Sequence, residues 1–158
     1  MRPPLTWIDA WFLAALTDAR SDADPRELWE FVNNADWLYR GIPTFEEVRF
    51  SLPRLEAAGL LLVGRAPNGG LTLKATEAAF ELRARVTADT LGGVLLEMAE
   101  VVGAPAYPAA DDENRSLGPL EGFEESDWDS AVTRNADWMT EAVSRLDERY
   151  RPKGAPSG

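Results

Sequence analysis

One order of elements constrains this chain more than any other feature: three helix-start signals, each followed by an apolar stripe, precede a single tight hairpin. Thr6 with Asp9, Asp24-Pro25-Arg26-Glu27, and Thr44 with Glu47 all have the spacing of a helix N-terminus. There a short side-chain oxygen takes a free backbone N–H, and an acid at the third helical position reaches back. Pro25 suits the first helical position, where no donor is needed. Behind these signals apolar residues recur at helical intervals: Trp7, Ile8, Trp11, Phe12, Ala15 and Leu16, then Leu28, Phe31, Val32, Ala35 and Leu38, then Phe45, Val48, Leu52 and Leu55. Gly41 and Pro43 are expected to stop the second helix and Gly59 the third, with Pro53 kinking the third because it lacks an N–H. Leu60 to Arg65 then reads as a buried strand, Pro67-Asn68-Gly69-Gly70 as a tight turn, and Leu71 to Lys74 as the returning strand.

The second half is less regular. Thr76-Glu77 opens a long helical stretch through Phe80, Leu82, Val86, Leu91, Leu95 and Met98, which Gly92-Gly93 is expected to bend or split. Between Gly103 and Gly122, prolines, glycines and the acidic run Asp111-Asp112-Glu113 mark a linker. Ser126 with Asp129 is expected to open a final helix to about Tyr150, striped by Trp128, Val132, Met139, Val143 and Leu146. That stripe can fold back on the core or pair with a second copy in a homodimer. The expected organisation is therefore 1–102, 103–125 as linker, 126–150 as an amphipathic helix, and 151–158 as a disordered tail. The fold class is mainly α with a small β-hairpin. Asn-Ala-Asp-Trp occurs at Asn34–Trp37 and again at Asn135–Trp138, with no similarity beyond it.

Composition narrows the chemistry. The 158 residues contain no Cys and no His, so zinc fingers, Cys/His nucleophile pairs, Ser-His-Asp triads and disulfides are excluded. Neither Asp127-Trp128-Asp129 nor Asp22-Ala23-Asp24 continues into a calcium loop, since the following Gly and distal Glu are missing. Gly64 to Gly70 lacks the Gly-Lys-Ser/Thr ending of a phosphate loop. No cofactor and no catalytic residue is expected, and a binding protein is a better reading than an enzyme. No run approaches a membrane span and no cleavable leader is visible, so the expected location is cytoplasmic. Trp7, Trp11, Trp29 and Trp37 can line an effector pocket or simply pack the core.

Residues Ile42 to Leu62, IPTFEEVRFSLPRLEAAGLLL, resemble the recognition helix and first wing strand of bacterial winged helix-turn-helix regulators of the MarR and PadR kind. RLEAAGLL is the segment most similar to their pattern, and Leu71 to Thr76 resembles their passage from the second wing strand into the next helix. The resemblance spans about Thr6 to Leu82. It implies a non-enzymatic transcriptional regulator that lays the helix from Thr44 to Ala58 in a major groove of double-stranded DNA. It also implies dimerisation through helices outside the wing. The implied nucleic-acid contacts are Arg40, Arg49, Phe50, Arg54, Arg65, Asn68 and Lys74, with Arg49 and Arg54 reading or gripping the groove.

Charge cuts both ways. The net charge is −11, unfavourable for a broad phosphate footprint. Between Arg40 and Lys74, however, five basic residues face three acids, Glu46, Glu47 and Glu56, a net +2 that leaves −13 elsewhere. Glu46 and Glu47 occupy the first turn of the expected reading helix, where they favour the helix dipole and repel phosphate. The alternative is an acidic winged-helix module that binds a protein partner and no DNA.

Overall fold

The computed structural model describes residues 4–18, 25–105 and 117–150. Asp24, the Asp22-Ala23-Asp24 motif, Pro108, the run Asp111-Asp112-Glu113 and the tail after Tyr150 lie outside the described residues. Among the described residues six helices and three strands follow in the order α1 (Trp7–Leu16), β1 (Arg26–Glu27), α2 (Leu28–Tyr39), α3 (Phe45–Ala57), β2 (Leu61–Arg65), β3 (Leu71–Ala75), α4 (Glu77–Ala84), α5 (Leu91–Val102) and α6 (Glu125–Tyr150). The fold is α+β, mainly helical, with one small antiparallel sheet.

Helix α1 is the centre. All ten of its residues are buried, as expected for a helix apolar around its whole circumference, and it packs against α2, α3, α5 and β3. The expected capping box starts it: Asp9 N donates to Thr6 Oγ1 at 3.2 Å, and Thr6 N to Asp9 Oδ2 at 2.8 Å. The Phe12 and Phe31 rings meet edge to face at 5.0 Å, joining α1 to α2. Trp7 and Trp11 are core residues: both pack on Tyr39, with centroids 4.9 and 5.0 Å away, and Trp11 Nε1 donates to the Ala35 carbonyl at 2.9 Å.

Helix α2 starts later than its sequence signal. Arg26 and Glu27 are a strand, paired antiparallel with Leu73 and Thr72 of β3, and the helix begins at Leu28. A free edge of β3 offers these residues backbone partners that a proline-led first turn cannot. Burial of Arg26 adds to this, its Nη1 donating to the Ala15 carbonyl near the end of α1 at 3.3 Å. At the other end Arg40, rather than Gly41, takes the left-handed conformation, with φ +56°, and its N–H closes on the Asp36 carbonyl.

The sheet order is β1-β3-β2. Leu61 lies opposite Ala75, Val63 opposite Leu73 and Arg65 opposite Leu71. This register turns Leu61, Leu71, Leu73 and Ala75 into the core, as alternation demands. It leaves Leu62 and Lys74 paired on the outer face.

The stretch after β3 divides at Val86–Thr90, before the glycine pair. Glu97 is the reason: its Oε2 accepts from Thr87 N at 2.7 Å and Ala88 N at 3.3 Å, pulling the loop onto α5. Gly93 sits inside the first turn of α5, where a Cβ would lie 2.8 Å from Thr90 Oγ1 and 2.9 Å from Ala88 Cβ. The glycine therefore permits close packing and does not break the helix.

Helix α6 starts one residue before Ser126. Its 26 residues run first along α2 and then beyond it. Asn33 Nδ2 donates to Oδ1 of the buried Asn135 at 2.9 Å, and the Trp29 and Trp138 rings lie 6.3 Å apart. The stripe expected to pair two copies is divided by this docking. Trp128 is buried and Val132 packs against the chain's own core, so neither is free for a partner. Met139 is half-buried beside Asn33, 3.6 Å from its amide, whereas Val143 and Leu146 remain 53% and 49% exposed.

Candidate functional site

The residues implied in nucleic-acid contact centre on α3. Its capping box forms as the spacing predicts, Thr44 N donating to Glu47 Oε1 at 2.8 Å and Glu47 N to Thr44 Oγ1 at 3.1 Å. Glu47 is thereby committed to the helix end. Glu46 lies 3.4 Å from Arg49 Nε, which lowers the charge Arg49 presents. The Arg49 guanidinium also stacks over Phe50 at 4.8 Å and Phe45 at 5.4 Å.

Arg54 is not on the outward face. It is 3% exposed, and its Nε and Nη2 grip Asp9 Oδ2 and Oδ1 at 2.8 and 3.0 Å. Ser51 Oγ donates to the same carboxylate at 2.5 Å, and Arg54 Nη2 reaches Thr6 Oγ1 at 3.3 Å. This two-toothed ion pair bolts the N-terminus of α1 to α3. Position alone puts Arg54 on the flank of the helix, between the Leu55 and Phe50 faces. The signal that identifies its role sits on α1, because an acid inside a wholly apolar helix requires a buried cation.

Pro53 lies inside α3. Without an N–H it leaves the carbonyl four residues earlier, that of Arg49, without its intrahelical donor. Leu120 N, from the segment before α6, takes that carbonyl at 2.8 Å. The same segment makes two further contacts. Arg65 Nη2 donates to the Gly122 carbonyl, and the Phe123 ring packs on Phe45 at 5.0 Å. Residues 117–124 therefore form a strap across the N-terminal half of α3 and the end of β2.

The remaining basic residues do not converge. Arg65 is held at both ends of its guanidinium, with Nη1 donating to the Gly69 carbonyl at 3.0 Å. Asn68 is part of its own turn, its Oδ1 accepting from Gly70 N at 3.0 Å. Lys74 stands on the outer face of the sheet, and Arg40 is exposed at the end of α2. Arg49 and Phe50 are together, Arg65 is joined to them through the strap, and Arg54 is in the core.

Small cavities line other parts of the surface. One of about 190 Å³ lies between β1, the hairpin turn and α6, with Trp29, Asn68, Asp127 and Arg134 in its wall. Another, about 180 Å³, is bounded by Ala14, Asp18, Asn34, Trp37, Arg83 and Leu91. Among the described residues no three acids cluster as metal ligands, and no helix is long and apolar enough to cross a membrane. Compared with protein-family models, curated proteins and solved structures, the chain matches none.

Proposed function

We propose that the chain is a non-enzymatic, acidic winged-helix protein whose α3 face recognises another protein. The order α1-β1-α2-α3-β2-β3 and the sheet order β1-β3-β2 are compatible with a winged helix. The observation that carries the partner class is the strap: polypeptide already lies against one side of α3, held through main-chain contacts to Arg49 and from Arg65. Loss of Arg54 to the core removes one of the two arginines on which groove reading depended. Exposed Glu46 and Glu56 on α3 face solvent where phosphates would approach.

A second reading, a dimeric DNA-binding transcriptional regulator of MarR or PadR type, draws on the likeness of Ile42–Leu62 and on the net +2 between Arg40 and Lys74. Fluorescence anisotropy with random duplex DNA at low salt separates the two. Protein recognition predicts no binding. Binding that weakens about tenfold or more in a folded Arg49→Ala variant would replace it with the DNA reading. A photo-cross-linker placed at Glu46 tests the positive claim, since it should capture protein from the native lysate and lose the adduct on Glu56→Lys.

A further inference from the structure

We propose that the cavity bounded by α1, α2, α4 and α5 binds an amino acid with a branched aliphatic side chain, held as its zwitterion. The site stands apart from the α3 face and goes beyond protein recognition there.

Arg83, on α4, is the group that calls for a ligand. It lies in the cavity wall, its Nε is shut off from water, and among the described residues no acceptor meets that Nε. A guanidinium N–H withdrawn from water without an acceptor is costly. A carboxylate suits the planar fork of an arginine, taking two parallel bonds. Asp18 shares the wall, yet among the described residues no ion pair joins it to Arg83. The two charges are therefore separated across the site.

The acceptors come from α1 and α2. Asp18 follows Thr17, the C-cap of α1, a helix with no basic residue in its last turn. The negative end of the helix dipole reinforces the carboxylate there and favours a cation. A carboxylate accepts from several donors at once, so Asp18 adds an ammonium to the contacts it already has. Asn34 Nδ2 donates to the Ala15 carbonyl at 3.4 Å, which leaves Oδ1 as the acceptor of that amide. A cation on α4 with acceptors on α1 and α2 matches a ligand of both charges, whereas a simple anion would meet the like charge of Asp18.

Trp37, Leu91 and Val94 supply apolar wall. Trp37 is 55% and Leu91 50% exposed, large apolar surfaces that a bound side chain would cover. Size sets the class. A cavity of ~150 Å³ holds benzene, so one of about 180 Å³ holds roughly eight or nine non-hydrogen atoms, the size of valine or leucine.

L-Leucine, 4-methylpentanoate, which lacks the ammonium, and 3-methylbutylamine, which lacks the carboxylate, are titrated into the full chain by calorimetry. Leucine is expected to bind with a Kd on the order of 100 µM, and each analogue about tenfold more weakly. Arg83→Gln should weaken leucine about tenfold and leave 3-methylbutylamine unchanged, a split that a merely structural loss would not produce. Leu91→Trp, which fills the mouth from an exposed position, should weaken all three, with circular dichroism confirming that both variants fold. Absence of leucine binding up to about 10 mM overturns the proposal, as does a folded Arg83→Gln variant with unaltered leucine affinity. Binding of 4-methylpentanoate as tight as that of leucine also overturns it, by making a simple carboxylate the occupant.

Discussion

The Asp9–Arg54 pair supports a quantitative prediction. Asp9 is 0% exposed and accepts four hydrogen bonds: from Thr6 N, Ser51 Oγ, and both Arg54 Nε and Nη2. Asp9→Ala deletes the anion that every one of these donors faces and strands a buried guanidinium. Breaking a buried pair in this way costs about 3–5 kcal/mol, a large part of the ~5–15 kcal/mol that holds a domain together. Arg54→Met is milder, because the carboxylate keeps two neutral donors and the thioether fills much of the vacated volume. Its expected cost is about 2–3 kcal/mol. The double variant Asp9→Leu with Arg54→Met removes both charges and should lie within about 2 kcal/mol of the unaltered chain, well short of the sum of the singles. Urea unfolding followed by tryptophan emission, with Trp7 and Trp11 on the same helix as Asp9, measures all three against far-UV circular dichroism. Asp9→Ala within about 1 kcal/mol of the unaltered chain, or costs that simply add, would refute the buried-pair account. Any functional loss in an Arg54 variant would therefore report on folding rather than on contact.

The remaining predictions test individual positions. Arg40→Gly should stabilise the chain by about 1 kcal/mol, since glycine relieves the left-handed strain at the end of α2; thermal melting checks it, and a loss of stability rejects that geometry. Gly93→Ala should cost about 1–3 kcal/mol, because its Cβ would collide with Thr90 Oγ1 and Ala88 Cβ, and the cost should exceed that of Gly92→Ala, whose Cβ has nothing within 4 Å. Asn135→Ala should destabilise by about 1–2 kcal/mol through loss of the bond from Asn33, with hydrogen exchange rising first along α6. Arg49→Ala, a half-buried surface pair with Glu46, should change stability by less than about 1 kcal/mol, which keeps it usable as a functional probe.

The two halves of the chain were unequally legible. Capping boxes at Thr6 and Thr44 and the turn at Pro67–Gly70 act over three or four residues, so their outcomes follow from local sequence. The start of α2 did not follow, because Arg26 and Glu27 are claimed by β3, distant in sequence. The α4–α5 break did not follow either: Glu97 gathers backbone N–H groups nine and ten residues before it, while Gly93 turned out to permit packing. In the candidate site, Arg49, Phe50 and Arg65 are grouped near α3, but Arg54 has left for the core and Lys74 for the far face of the sheet.

By itself the sequence determined the capped starts of α1 and α3, where the hairpin turns, and which chemistries are closed to a chain with no Cys and no His. Those properties depend on side-chain identity and near-neighbour spacing. Tertiary structure alone decided that Asp9 on α1 would capture Arg54 on α3, and that a carbonyl released by Pro53 would be taken by Leu120. The reason is physical: a buried charge or an unpaired carbonyl announces a need in the sequence, and only packing brings the group that meets it.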